Sequence, residues 1–166
     1  MALLIRDSKL YAAGALLRQL IEIEYLLFLG YKDPSRLGRW YVAGAKELRR
    51  TFSPHQMRKN AEGLFRDEEY WLHCELGGHP HPRARMLLLS YESPLPPIAC
   101  LLPDAVQHLR RLWTSLRLLL DQLDVDRTAV AECSDSLVVA IGHWERVEDP
   151  IVLSFDGIAA DEETGG

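Results

Sequence analysis

Residues 104–123 read DAVQHLRRLWTSLRLLLDQL. Val106, Leu109, Leu112, Trp113, Leu116, Leu119, Leu120 and Leu123 recur at three- and four-residue spacing, with Arg110, Arg111 and Arg117 among the positions between them. That is the 3.6-residue period of a helix with one apolar stripe, which must pack on a bundle or a partner. Asp104 is its expected N-cap, directly behind Pro103.

A second long helix stands at the other end of the chain. Ser8 is the expected N-cap and Gly30 the expected C-cap. Leu16, Leu17, Leu20, Ile21, Ile23, Leu26 and Leu27 make it apolar nearly all round, which predicts burial on several sides. Its polar exceptions are therefore informative. At 100° per residue, Tyr11, Arg18, Glu22 and Tyr25 fall on one stripe, and Arg18 and Glu22 are an i, i+4 pair. They form either a salt bridge at the rim of a bundle or a polar pocket wall.

Between these two helices the start signals repeat. Asp33-Pro34 opens a helix running to about Arg50, and Ser53-Pro54 opens another through Met57, Ala61 and Leu64 to Leu76. Gly63 softens this second one midway, and Gly77-Gly78 ends it. On its later half Arg66, Tyr70, His73 and Gly77 share one face, while Phe65, Leu72 and Leu76 form the core face. His79-Pro-His81-Pro cannot be helical, and Pro94, Pro96, Pro97 and Pro103 keep the following part irregular. A weaker helical stretch follows Asp126 and ends near Arg146, with Pro150 as the stop. The pattern predicts an all-α, single-domain bundle of four to six helices over residues 1–150, with 151–166 a partly mobile tail.

Composition narrows the class. The chain has 166 residues, 48% of them hydrophobic, enough for one domain with a core. No run of about 18 uncharged apolar residues occurs, so no membrane span is expected. The charges of MALLIRDSKL follow its apolar run, unlike a signal peptide. Cys74, Cys100 and Cys133 form no disulfide framework, which predicts a reducing, cytoplasmic setting. Residues 35–66 carry a balance of +6, and residues 121–166 a balance of −10. The basic segment suits RNA or an acidic protein partner, or is an ordinary solvated face.

No phosphate loop, GxSxG or HExxH is present. His73, Cys74, His79 and His81 have zinc-ligand chemistry, but His73 and Cys74 diverge by about 100° on a helix. No metal or other cofactor is expected. Cys74 as a nucleophile would need a base, for which His73 and His79 are the neighbours. Arg66 and His73, two helical turns apart, offer a third chemistry. An imidazole beside a guanidinium can move the proton of a ribose 2′-hydroxyl and stabilise phosphate charge.

Arg66-Asp67-x5-His73 resembles the R-x4–6-H motif of HEPN-domain proteins (higher eukaryotes and prokaryotes nucleotide-binding), although Arg49 and Arg50 also match it with His55. More of the chain, roughly residues 10–85, is similar to uncharacterised bacterial helical families. In those an early Arg-x3-Glu helix is followed by a helix ending in His-Pro, here LLRQLIEIEYLL and YWLHCELGGHPHP. The resemblance implies a HEPN-like homodimer, a metal-independent endoribonuclease of a bacterial stress or defence system. His73 would be the acid–base group, Arg66 the phosphate stabiliser, and Arg18 and Glu22 the orienting pair. Tyr70, Tyr25 and either His79 or His81 would bind the ligand. The other expectation is a non-catalytic helical module that takes a protein partner or small ligand in the polar pocket between helices.

Overall fold

The computed structural model describes residues 1–61, 63–88, 95–125, 128, 130–131 and 134–143. No strand forms among them. In chain order the elements are α1 (Ala2–Arg6), α2 (Leu10–Lys32), α3 (Ser35–Val42), α4 (Ala45–Thr51), α5 (Pro54–Lys59) and α6 (Asp67–His73). A π-turn (Cys74–Gly78), a 3-10 turn (Pro82–Ala84), α7 (Arg85–Leu88) and α8 (Leu95–Gln122) follow. Residues 134–143 are helical as well. The expected stop at Pro150 and the tail 151–166 lie outside the described residues. Among the described residues no helix is long and apolar enough to cross a membrane.

The core is built around α2, as its apolar circumference requires. Leu10, Ala13, Leu17, Ile21, Tyr25 and Leu29 are all at most 1% exposed. This helix packs most extensively against α8, then against the π-turn. Both of its expected caps are displaced. Ser8 sits before the helix in the left-handed region (φ 55°), and Lys9 is the residue at the helix start. Gly30 lies inside the helix, which runs on to an extended Asp33. A Cβ at Gly30 would stand 2.6 Å from Leu37 Cγ, so this glycine lets α3 fold back closely.

The Asp33 carboxylate accepts from both the backbone N–H (3.1 Å) and the hydroxyl (2.7 Å) of Ser35, fixing the start of α3. The helix expected to reach Arg50 instead divides at Ala43-Gly44, both extended, and neither α3 nor α4 buries a residue. Without a buried stripe there is little to carry one helix through a glycine. Ser53-Pro54 opens α5 as expected. Gly63, at φ +83°, breaks the next segment outright rather than softening it. Phe65 is core, whereas Leu72 is 45% exposed.

After α6 the chain widens into the π-turn, closed by the His79 N–H donating to the Cys74 carbonyl at 3.0 Å. A Cβ at Gly77 would lie 2.4 Å from Gly14 C and Ala15 N, so two backbones touch here. Only glycine permits that approach.

Helix α8 starts nine residues before the expected cap. Pro96 and Pro97 occupy its first turn, where no N–H partner is needed. Pro103 lies in its interior, and Leu101 and Ala105 on either side are buried in the core, which offsets the lost hydrogen bond. Asp104 is therefore an interior helical residue, not a cap. The deeply buried stripe of α8 is Leu101, Ala105, His108, Ser115 and Leu119, while Leu118 and Leu123 stay exposed.

Candidate ligand site between three helices

Three helices contribute acidic or imidazole side chains to one buried region. Helix α2 brings Glu24, α6 brings Glu69 and His73, and α8 brings Asp104, His108 and Arg111. The spacing places them: Glu69 and His73 are i, i+4 on α6, and Asp104 and His108 are i, i+4 on α8. Glu24 and His108 are each 1% exposed, and His73 is 3% exposed.

Each imidazole is held at its Nδ1. His73 Nδ1 donates to the Glu69 backbone carbonyl (2.5 Å), and His108 Nδ1 donates to Glu24 Oε2 (2.5 Å). A carbonyl oxygen only accepts, so the proton on His73 Nδ1 is fixed by its partner. The Nε2 atoms both turn toward Asp104. His73 Nε2 is 2.7 Å from Asp104 Oδ2, and His108 Nε2 is 3.9 Å from Asp104 Oδ1 and 3.6 Å from Glu69 Oε1. The two rings meet edge-on with centroids 5.3 Å apart. His108 Nε2 and Glu24 Oε1 are buried without a hydrogen-bond partner. Arg111 Nη1 lies 3.5 Å from Glu69 Oε1 and 3.9 Å from Glu24 Oε1.

Electrostatics within this cluster are reciprocal. Burial alone lowers the His73 pKa, but the hydrogen bond and charge of Asp104, with Glu69 behind them, outweigh it, and the net direction is upward. For Asp104, burial pushes upward, and the bond to His73 with the charges of His73, His108 and Arg111 carries the net direction down. The two directions agree: the pair favours imidazolium and carboxylate.

Beside the cluster lies a cavity of about 320 Å³. Leu17, Leu72, Leu76 and Leu101 supply apolar walls, and His73 and Asp104 supply the polar end. Gly14 also lines it, as does Arg83, whose Nη1 is paired with Glu75 Oε2 at 2.7 Å.

A second polar network uses residues expected from the sequence. Arg18 Nε donates to Glu22 Oε1 (3.0 Å), and the Tyr70 hydroxyl donates to the same oxygen (3.1 Å). The buried Arg58 guanidinium stands 3.9 Å from the Tyr70 ring centre, pairing with Asp67 at 2.7 Å. Tyr25 packs on Phe65 with centroids 4.3 Å apart and lies 6.2 Å from Tyr70. Burial, followed by the Cys74 and Glu22 contacts, pushes the Tyr70 pKa up, so its hydroxyl stays protonated.

Arg18, Glu22, Tyr25 and Tyr70 are thus brought together. The two hydrogen bonds of the His73 ring go to the Glu69 carbonyl and Asp104 rather than to Arg66. Arg66 is the exposed N-cap residue of α6, and its carbonyl accepts from the Tyr70 N–H at 3.3 Å. Gly63, at φ +83°, ends the preceding segment before Arg66, and the helix that carries His73 begins at Asp67. His79 is exposed, and His81 Nδ1 accepts from the Arg83 backbone N–H at 3.2 Å, with Glu75 3.9 Å from its Nε2. The loop therefore caps its own turn. Of the four residues weighed for zinc, only His73 enters the imidazole–carboxylate cluster.

Glu24, Glu69, Asp104, His108 and Arg111 were not singled out by the sequence reading. Their signal was present: His108 occupies the Leu101–Ala105–His108–Leu112–Ser115–Leu119 repeat, and Glu24 interrupts the apolar run of α2. Comparison with protein-family models, curated proteins and solved structures finds no match for this chain.

Proposed function

We propose that this chain is a non-catalytic helical module, HEPN-like in its bundle, that binds a small ligand in the cavity between α2, α6 and α8. The observation that carries this reading is the pairing of a buried, doubly bonded His73 with that cavity. Both ring nitrogens of His73 are engaged, one by a backbone carbonyl, which suits an orienting group better than a proton shuttle. At about 320 Å³ the cavity is at the small end of ligand pockets. Its chemistry favours a compact apolar molecule with one hydrogen-bond donor directed at the Asp104 carboxylate, which His73 holds in place. The endoribonuclease reading has less support, because the Glu69 carbonyl and Asp104, not Arg66, engage the His73 ring.

Exposed Leu118 on α8 and Leu123 just after it suit a homodimer, and the exposed basic residues of α3 and α4 suit an acidic protein or RNA partner. The test is thermal unfolding of the full chain against a fragment set of small apolar molecules bearing one hydrogen-bonding group. Stabilisation by a fragment, abolished when Leu101→Trp fills the cavity, supports the module. Cleavage of single-stranded RNA by purified protein, lost in His73→Ala, would overturn it in favour of the nuclease.

A further inference from the structure

We infer that Asp104 and the Nε2 atoms of His73 and His108 form a binding site for a divalent first-row transition-metal ion. This inference stands apart from the identity of any molecule in the cavity. One ligand atom from each of the three residues lies within 4.8 Å of the others. Tetrahedral ligands about 2.0–2.2 Å from one ion stand roughly 3.3–3.6 Å apart, so the set closes on an ion by a contraction of about an ångström or less.

The outer contacts are those a metal-binding histidine requires. Such a residue donates its second N–H to a carbonyl or carboxylate, which fixes the tautomer and aims the other nitrogen. His73 does this through the Glu69 carbonyl and His108 through Glu24. The two arrangements come from different helices, yet both point Nε2 at the same carboxylate. His108 Nε2, 1% exposed at the side chain, is a buried nitrogen with no hydrogen-bond partner. In a finished hydrogen-bond network such an atom is a loss; facing an ion, it is a ligand.

The charges fit. Glu24, Glu69 and Asp104 face the region, against the single guanidinium of Arg111, with His73 and His108 between them. A dication replaces the proton shared between His73 Nε2 and Asp104 Oδ2, and that proton leaves to solvent. Glu69 Oε1, 3.6 Å from His108 Nε2, is within reach as a fourth ligand. Two imidazoles with carboxylate select zinc, cobalt, iron(II) or manganese over magnesium or calcium. His73 and Asp104 also line the cavity, so a position left open on the ion faces it.

The test loads chelator-stripped full-length protein with Co²⁺, Zn²⁺ and Mg²⁺ and follows visible absorption, bound-metal stoichiometry and thermal unfolding. One equivalent of Co²⁺ per chain, with d–d absorption displaced by Zn²⁺ and no effect of Mg²⁺, is the expected result. Asp104→Asn, at a half-exposed position, should fold and lose about tenfold or more in affinity. Glu24→Gln should weaken binding without removing a ligand, while His79→Ala with His81→Ala should leave it unchanged. Circular dichroism confirms folding of each variant. Absence of stoichiometric binding, or binding lost in the His79/His81 variant and retained in Asp104→Asn, would overturn the site.

Discussion

His108 donates its Nδ1 proton to Glu24 Oε2 across 2.5 Å, joining the middle of α8 to the middle of α2 with both side chains 1% exposed. Removing one partner leaves the other buried and unsatisfied. Glu24→Ala or His108→Ala should each cost about 1–3 kcal/mol, the desolvation penalty of a buried group left without its hydrogen-bond partner. The paired change Glu24→Met with His108→Leu should recover much of that loss. Urea unfolding of the four proteins measures the coupling; simple additivity would show that the two residues do not act as a pair.

Gly77 and Gly38 should respond oppositely to alanine. A Cβ at Gly77 meets the backbone of Gly14 and Ala15 at 2.4 Å, and backbone cannot rotate away. Gly77→Ala should lower stability by about 1–3 kcal/mol through overpacking. Gly38 lies in α3 with nothing within 4 Å of an added Cβ, so Gly38→Ala should gain about 0.5–1 kcal/mol of helix propensity. Thermal melts of both variants read the two signs directly.

Tyr70→Phe removes the donor to Glu22 while keeping the ring beneath Arg58. Glu22 is partly exposed and water replaces the lost bond, so the cost should be about 1 kcal/mol. Arg58→Ala removes a buried guanidinium and its packing on Tyr70, and should cost more. Chemical denaturation that ranks the two in reverse would remove Arg58 from the structural account.

Protein kept free of metal by chelator should show a stability plateau bounded by the His73–Asp104 pair. The His73 pKa is raised, so its contribution is complete below the ordinary histidine value of about 6.5 and is lost as pH rises through the folded value. The Asp104 pKa is lowered, so its contribution is complete above about 3.9 and is lost as pH falls through the folded value. Stability from this pair should therefore be greatest between about pH 4 and 6.5. Asp104→Asn should flatten the alkaline limb in denaturation series; an unchanged limb would separate His73 from Asp104.

The two long helices were legible because α2 and α8 carry their period over many residues, and burial reinforces it. Short elements were less so. Asp33-Pro34 and Ser53-Pro54 marked real helix starts, but the break at Gly63 depended on a left-handed backbone that a glycine permits without demanding. That break left Arg66 as the exposed cap of the helix that carries His73. Asp104 misled in a different way: a carboxylate behind a proline reads as a cap, and only the burial of Leu101 and Ala105 shows the helix passing through. The Arg18–Glu22–Tyr70 network followed from helical spacing plus one tertiary contact. The His108–Glu24 pair depends on how α8 lies along α2, which no local pattern specifies.

The touching backbones at Gly14 and Gly77 limit how this chain can change over generations. In most packed pairs a larger side chain on one partner can be accommodated by a smaller one on the other. Here the obstacle facing Gly77 is the backbone of Gly14 and Ala15, which no change of side chain can draw back. The constraint is one-sided: a Cβ at Gly14 meets nothing closer than 3.3 Å, whereas one at Gly77 runs into backbone at 2.4 Å, so divergence of this fold must proceed around Gly77 rather than through it.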